Sequence, residues 1–533
     1  MTTSIRLPAL IVALLLGLGA PVSAQKTIDL DSATIADLNA AFNAGTLTSE
    51  KLTQMCLARI DAYDRKGPRL RAMITVNPKA LDTARALDAE RKARGPRSTL
   101  HGIPVVLKDN YDTADLPTTG GSLMLEGSVP PDDAFLVKKL RAAGAVVIGK
   151  ANMSEFASGA AISSLGGQML NPHDLARAPG GSSGGPGIAI AAAYAVVGLG
   201  TDTGGSIRNP SSANGIAGLK PTHGLTSRDG IIPLALSFDT AGPMARSVSD
   251  IATVLGVLTG IDAADPATRK SEGHFETDYT KHLNGRALSG ARIGIVRDFL
   301  GQDEDVDWVV DASLETMRRA GATIVDVRLP KWLLDAKGEF YNAIRFPEFA
   351  AQIGPYLATL GPSFPKSLDQ LIDRAMRVNA PRGDGAGPNP NRWTLLKREA
   401  ASGTLDSYRY ASVHDHGVQM VRTVVDGLLA SEKLDVIIYP TAPRKPQLIS
   451  AAAEPPGGGP GSPVNLANLT GFPDLIVPAG FTGGGSPVTV SFLGPAFSEG
   501  RLLELGYSFE QTTRARRLPV NTPRLKDEKI QVP

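Results

Sequence analysis

Cysteine is almost absent from this chain of 533 residues, in which Cys56 is the single one. An intrachain disulfide is therefore excluded, and so is a cluster of cysteine ligands around a metal ion. Cys56 lies in a stretch with helical character, where we expect a buried structural thiol.

Histidine and excess charge are also scarce. The chain has seven histidines, and His414 and His416 are two residues apart, a spacing that does not put two zinc ligands on one helix face. The formal net charge is only +2, which gives no indication of a nucleic-acid partner. We therefore expect no metal ion, no other cofactor and no nucleic acid. Hydrophobic residues make up 42% of the sequence, enough for a large core.

A long apolar run opens the chain, from Leu7 to Ala20, after Arg6 and before Val22-Ser23-Ala24. These three parts indicate a secretory signal peptide, residues 1–24, cleaved after Ala24. The run is shorter than the ~20 residues that a membrane-spanning helix needs. We therefore predict an exported protein, periplasmic or secreted, with no stable membrane insertion after cleavage.

Two segments rich in glycine and serine are the most informative part of the sequence. Residues 180–185 read Gly-Gly-Ser-Ser-Gly-Gly, and residues 201–206 read Thr-Asp-Thr-Gly-Gly-Ser. A flexible linker is the common alternative for such a composition. Pro186 and the helix-forming residues after it favour a different interpretation, because they place the N–H groups of the first segment at a helix N-terminus, where negative charge is stabilised.

Lys108 ends the apolar run 103–107, which predicts a buried strand. A lysine at a strand end commonly extends its amine to water. If the amine is buried instead, loss of solvation lowers its pKa and makes it a usable base near neutral pH. Serine hydroxyls, a buried amine and many backbone N–H donors are together typical of an acyl-transfer site.

With these motifs, the chain resembles the amidase signature family. The resemblance runs from about residue 30 to about residue 515, and its most specific blocks are 102–110, 180–185, 200–210 and 218–224. It implies a Ser-Ser-Lys triad without histidine. In that triad Ser206 is the nucleophile, Ser182 is a bridging serine that follows a cis peptide bond, and Lys108 is the base.

The resemblance also implies an oxyanion hole built from the backbone N–H groups of Thr203, Gly204, Gly205 and Ser206. Three further residues would support the catalytic groups: Ser183, Asp202 and Arg208. An arginine can hold a carboxylate with its planar fork, although an ordinary surface ion pair is the alternative for Asp202 and Arg208. The expected reaction is hydrolysis of a small-molecule or peptide amide to a carboxylic acid and ammonia or an amine, and a peptide amidase-like role is the first hypothesis.

Three alternatives have to be tested against the structure. Residues 180–184 match the G-x-S-x-G elbow, which would make Ser182 the nucleophile of an α/β-hydrolase-type esterase with a histidine base such as His414 or His416. That elbow follows a strand, and the polar, proline-containing residues 171–179 form a poor one. Ser363 and Lys366 fit the S-x-x-K pattern, but Pro365 between them disfavours a helix. The third alternative is an exported ligand-binding protein without catalytic activity.

Short apolar strands alternate with helical segments along the chain, which predicts an α/β fold. The resemblance makes this a single large mixed β-sheet sandwiched between α-helices. We predict one catalytic domain, residues 25–515, and leave the oligomeric state open between monomer and homodimer. Its parts are an N-terminal helical segment at about 35–94, a signature core at about 101–246 and a variable helical region at about 330–430, before a solvated C-terminal tail at 516–533. The many aromatic residues of 330–430 belong either to a helical core or to the substrate pocket.

Overall fold

The structure, a computed structural model, describes residues 26–450 and 459–533. The predicted signal peptide, residues 1–24, lies outside the described residues. Among the helices of the described part, none is long and apolar enough to cross a membrane.

The strands are short, and most of them are fully buried. Their bounds are β1 (Lys26–Asp29), β2 (Met73–Val76), β3 (Pro104–Lys108), β4 (Val146–Ala151), β5 (Ile162–Ser163), β6 (Gly167–Gln168), β7 (Val197–Asp202), β8 (Ala217–Lys220), β9 (Thr240–Ala245), β10 (Arg292–Val296), β11 (Thr323–Val327), β12 (Val436–Pro440), β13 (Asp474–Phe481), β14 (Pro487–Leu493) and β15 (Lys529–Val532).

Helices fill the connections between most of these strands. Their bounds are α1 (Ile35–Asn43), α2 (Ser49–Arg59), α3 (Ala80–Arg94), α4 (Phe135–Ala142), α5 (Gly184–Ala191), α6 (Arg208–Ala213), α7 (Val248–Leu258), α8 (Glu304–Arg319), α9 (Lys331–Ala358), α10 (Leu368–Ala375), α11 (Pro390–Ala400), α12 (Tyr408–Ser412), α13 (Val418–Ser431), α14 (Leu466–Thr470) and α15 (Glu499–Thr513).

One mixed sheet of 11 strands organises the molecule, in the order β11-β10-β12-β14-β13-β8-β9-β7-β3-β4-β2. Strand β3 runs parallel to both β4 and β7, whereas β9 pairs antiparallel with β7 and β8. Helices cover both faces of this sheet, so the predicted α/β fold with a large mixed sheet between helices is confirmed.

The side chains of β3 alternate between two helical layers, as the pleat of a strand requires. Val105 and Leu107 pack into the cluster that contains residues of α1, α4 and α7. Val106 packs on the other face, in the cluster that contains Ile188 and Ile190 of α5. Lys108 is two residues beyond Val106 and therefore belongs to the α5 side of the sheet.

The N-terminal segment predicted as helical contains a strand as well. Between helices α2 and α3, strand β2 pairs antiparallel with β4 and forms the edge of the large sheet. This pairing gives the apolar side chains of β2 a place in the sheet, which a helical interpretation of 35–94 overlooks. The predicted helical region 330–430 does consist of helices, α9 to α13.

The chain ends correct the prediction of a solvated tail at 516–533. Strand β15 pairs antiparallel with β1, residue for residue from Lys26↔Val532 to Asp29↔Lys529. Just before β15, Glu528 accepts a hydrogen bond from Arg59 of α2 at 2.8 Å, and both side chains are at most 3% exposed. Arg59 also donates to the carbonyl of Thr522 at 2.7 Å. The tail packs against the domain because it supplies the carboxylate and carbonyl groups that the buried guanidinium requires.

We expect Glu528→Gln to lower the free energy of unfolding by roughly 1.5–3 kcal/mol, the usual worth of a hydrogen bond to a charged group. The amide keeps the shape of the side chain but removes the negative charge beside the buried guanidinium of Arg59. Urea denaturation followed by circular dichroism measures the change. Asp527→Asn is the matched control, because Asp527 is exposed and its substitution should cost less than roughly 0.5 kcal/mol. Equal stabilities of the two variants would contradict a stabilising role for this ion pair.

Candidate active site

Lys108 lies at the C-terminal end of β3 and is completely buried. Its Nζ is 2.7 Å from the Ser182 Oγ and 2.7 Å from the Thr201 Oγ1, and it also contacts the Thr201 carbonyl oxygen at 3.4 Å. A neutral amine has two N–H donors and one lone pair. With both donors used on the two oxygens of Thr201, the lone pair faces the hydroxyl of Ser182.

Burial is the main influence on the charge of Lys108. Loss of solvation lowers the pKa of its amine to about 7, although the carboxylates of Asp202 and Asp239 act in the opposite direction. A substantial fraction of the amine is therefore uncharged at neutral pH. The amine is thus able to accept a proton from its hydroxyl neighbour.

The first glycine-serine segment leads directly into α5, which begins at Gly184. The peptide bond between Gly181 and Ser182 is cis, as the resemblance implies. Ser183 ties this segment to the second one, because its N–H donates to the Ser206 carbonyl at 3.2 Å. Its hydroxyl also lies between the carbonyl and the N–H of Thr201, at 3.2 and 3.3 Å. The two segments therefore meet at the end of β7, with Lys108 beside them.

Asp202 and Arg208 shape the second segment. The carboxylate of Asp202 accepts the N–H of Gly205 at 2.8 Å and that of Ile207 at 2.9 Å, and Arg208 Nε lies 3.2 Å away. Asn468 adds a further donor at 2.9 Å. Burial alone would raise the pKa of Asp202, but the charge of Arg208 and these hydrogen bonds hold it below its usual range. Both side chains are at most 3% exposed, so the alternative of a surface ion pair is wrong.

The backbone of the second segment differs in one respect from the predicted oxyanion hole. Gly205 has a φ of 104°, a conformation that favours glycine, and its N–H is bound to Asp202 rather than directed at a substrate. Within the described residues, the N–H groups of Thr203, Gly204 and Ser206 have no hydrogen-bond partner in the chain. Gly205 is therefore removed from the set of available donors, because Asp202 needs its amide to form the turn.

Ser206 follows these amides and is 8% exposed, whereas Ser182 is 2% exposed. Its carbonyl is held by Ser183, so its backbone is fixed directly beside the first segment. Tyr341 of α9 approaches from the helical region, and its hydroxyl would lie 2.7 Å from a Cβ atom at Gly204. The ring of Tyr341 also stacks on Phe238 at 5.5 Å. The region 330–430 thus contributes at least one aromatic side chain to the surroundings of the site.

Sequence analysis did not single out Thr201, Asn110 or Asp239 as residues of the site. Thr201 and Asn110 flank the predicted groups within the same motifs, and Asn110 Nδ2 donates to the Thr201 Oγ1 at 3.1 Å. Asp239 accepts the hydroxyl of Thr203. It lies 36 residues beyond Thr203, outside every motif, so the sequence contains no local signal for it.

The structure gives no support to the two alternative serine enzymes. Residues 171–179 form no strand before Ser182, which the elbow would require. His414 stacks on Tyr410 and binds its neighbour Asp415, so its ring is engaged within the helical region. Lys366 donates to the carbonyls of Leu357 and Leu360 near the end of α9, which is a structural role.

Comparison with known proteins supports the resemblance. The amidase family model matches residues 51–503. A protein of the glutamyl-tRNA(Gln) amidotransferase of Halorhodospira halophila is 39% identical over 496 residues, which cover 90% of this chain and 97% of that protein. The native peptide amidase from Stenotrophomonas maltophilia is 40% identical with a TM-score of 0.82, over 92% of this chain and 98% of that one. A complex of the peptide amidase PAM with the competitive inhibitor chymostatin gives 41% identity and a TM-score of 0.82, over 92% and 99% of the two chains.

The family match spans most of the chain, and the same relatives share the large mixed sheet that carries the Lys108–Ser182 contact. The chain therefore belongs to the amidase signature family and is a hydrolase of carboxylic amide C–N bonds.

Proposed function

We propose that this protein hydrolyses the C-terminal amide of peptides, or a closely related small amide, through an acyl-enzyme on Ser206. Ser182 relays protons and Lys108 is the base. The observation that carries the proposal is the buried amine of Lys108, 2.7 Å from the Ser182 hydroxyl. An uncharged amine in this place is what a serine nucleophile without a histidine requires.

The proposed acylation moves two protons. Neutral Lys108 takes the proton of the Ser182 hydroxyl, while Ser182 takes the proton of Ser206, and the Ser206 oxygen forms a bond to the amide carbon. When the C–N bond breaks, Ser182 returns a proton to the departing nitrogen and is reprotonated by the Lys108 ammonium. Water then repeats the sequence on the ester, which releases the carboxylic acid and restores Ser206.

The negative charge of the tetrahedral intermediate needs donors that are in place before the reaction. The N–H groups of Thr203, Gly204 and Ser206 are the available candidates, and each such donor is typically worth about 3 kcal/mol in the transition state. Asp202 supports this function indirectly, because its bonds to Gly205 and Ile207 fix the turn from which the donors project. Rigid donors require no reorganisation while the charge develops.

Two lines of support favour a peptide amide over other amides. The peptide amidase structures are similar to this chain over nearly their whole length. The N-terminal pattern that predicts a signal peptide also supports export, and we propose an exported, periplasmic or secreted location on that basis. Such a location separates the protein from charged tRNA, which the names of the similar amidotransferase proteins include.

A panel of amides tests the proposed function. We expect amidated peptides to be converted to free acids with release of ammonia, faster than anilides, fatty amides and free L-glutamine. Mass spectrometry detects the gain of about one mass unit in the peptide, and a coupled assay measures ammonia. Peptides with a free carboxyl end or a dimethylated amide are the matched controls. Turnover of L-glutamine alone would overturn the peptide assignment, and no acid from any amide would overturn the proposed function.

A further inference from the structure

Asp239 is a buried carboxylate beside the site that no step of the proposed reaction uses. It lies just before β9 and is 8% exposed. One carboxylate oxygen accepts the hydroxyl of Thr203, and the other accepts the N–H groups of Leu234 at 2.9 Å and Ala235 at 3.1 Å. Thr203 is the first residue of the turn that supplies the proposed oxyanion donors. Asp239 therefore connects a separate loop to the beginning of that turn.

A small cavity relates Asp239 to the base as well. Asn110, Thr201, Thr203 and Asp239 are the polar residues next to Lys108 that line it, and its remaining walls are mainly aliphatic. The Oδ1 atom of Asn110 is buried without a hydrogen-bond partner. Thr201 contacts the amine of Lys108 through its hydroxyl at 2.7 Å. Asp239 and the partner of Lys108 thus face the same enclosed space, which water does not screen as it does at the surface.

We propose that Asp239 is a positioning residue of this active site: its carboxylate fixes Thr203 at the start of the oxyanion turn and places a negative charge across the cavity from Lys108. The inference rests on the proposed function, since it assigns a role relative to the same base. Asp239 touches neither the reacting atoms nor the nucleophile, so it acts through Thr203 and through its charge.

The charged groups around Asp239 determine the direction of the effect. Burial raises the pKa of Asp239 to about 6, and the hydrogen bonds of Thr203 and Leu234 and the charge of Arg228 oppose that rise. The phenol of Tyr341 lies within electrostatic reach of Asp239, and Asp202 and Asp239 both favour the charged form of Lys108. The guanidinium of Arg228 is already paired with Asp265. Above pH 6, therefore, Asp239 is an anion that makes Lys108 harder to deprotonate.

The test is the pH profile of Asp239→Asn. Removing the negative charge lowers the pKa of Lys108, so the acid limb of kcat/KM should move to lower pH by at least about 0.5 unit. The variant should also lose about tenfold in kcat at pH 9, because Thr203 is no longer held by a carboxylate. A merely structural role would lower the rate without moving the limb.

Asp250→Asn is the matched control. Asp250 is also a buried carboxylate that accepts a backbone N–H, from Ile35 at 2.8 Å, and burial raises its pKa to about 6. It lies in α7, away from the cavity, so its variant should leave the limb of the wild type in place. An unchanged limb in a folded Asp239→Asn variant would overturn the inference.

If Asp239→Asn does not fold, Thr203→Val decides the positioning role. This substitution keeps the branched shape but removes the donor to Asp239, and we expect kcat to fall about tenfold with KM within about twofold. An unchanged kcat would overturn the inference. The proposed function is judged separately, because it requires the acid limb in the wild-type enzyme whatever these variants do.

Discussion

Lys108→Met lowers kcat/KM by about 10⁴-fold or more, the expected result if this amine is the base that activates Ser206. Methionine has a similar length and is apolar, so it fits a site in which Lys108 is completely buried. Loss of folding is therefore not the expected cause of inactivity. Initial rates with an amidated peptide, measured together with the thermal midpoint of the variant, separate the two effects.

The pH dependence of the wild-type enzyme carries the sign of the same proposal. Lys108 has to be uncharged, and burial lowers its pKa to about 7. Because the reactive form is the deprotonated one, kcat/KM rises about tenfold per pH unit below pH 7 and levels off above it. Rates from pH 5 to pH 9 measure this limb, and the residual activity of Lys108→Met should lack it.

Lys139→Met is the matched control for Lys108→Met. Lys139 is a half-buried lysine of α4 whose amine donates to the carbonyl of Thr259, with no contact to the glycine-serine segments. Its variant should keep nearly all activity and the same pH profile. The assignment of the base would be wrong if Lys108→Met retained a tenth or more of the wild-type rate, or if the wild-type rate were flat from acid to alkaline pH.

The strands that the sequence predicts and those that it misses differ in composition. Strands β3, β10 and β11 are rich in valine and isoleucine, and their positions follow from the sequence within one residue or so. Strands β7, β8 and β9 contain glycine, aspartate, proline or lysine, which are depleted in strands. They are held by neighbours on both sides within a buried sheet, so tertiary pairing decides their structure.

The site shows a similar division. The motifs locate Lys108, Ser182 and Ser206, because each lies in a segment whose composition is unusual for its length. The contacts of Asp239 depend on how a distant loop folds back, and no spacing in the sequence encodes them. The N–H of Gly205 is the reverse case. The motif includes it among the oxyanion donors, whereas the geometry of the turn commits it to Asp202.

The chain ends show the same limit of local patterns. Charged residues near a C-terminus commonly indicate a solvated tail. In this protein, a guanidinium from α2 is buried and requires a carboxylate, and Glu528 is the residue that reaches it. Only the folded chain brings these two residues together, although 469 positions separate them.

Ser206→Ala and Ser182→Ala distinguish the nucleophile from the relay. We expect Ser206→Ala to lose turnover and also to lose all labelling by a serine-reactive fluorophosphonate, since the atom that forms the covalent bond is gone. Ser182→Ala should lose about 10³-fold or more in turnover but still become labelled slowly, because the Ser206 hydroxyl remains without its proton acceptor. Intact-protein mass spectrometry counts the labels, and peptide mapping locates them.

Ser211→Ala is the matched control for these two variants, because Ser211 is a completely buried serine of α6 in the same part of the fold. It should be labelled at the wild-type rate. The opposite pattern, in which Ser182→Ala abolishes labelling and Ser206→Ala retains it, would make Ser182 the nucleophile. Lys108 would then act on the attacking hydroxyl directly, because its amine already lies 2.7 Å from the Ser182 Oγ, and the relay through a second serine would be excluded.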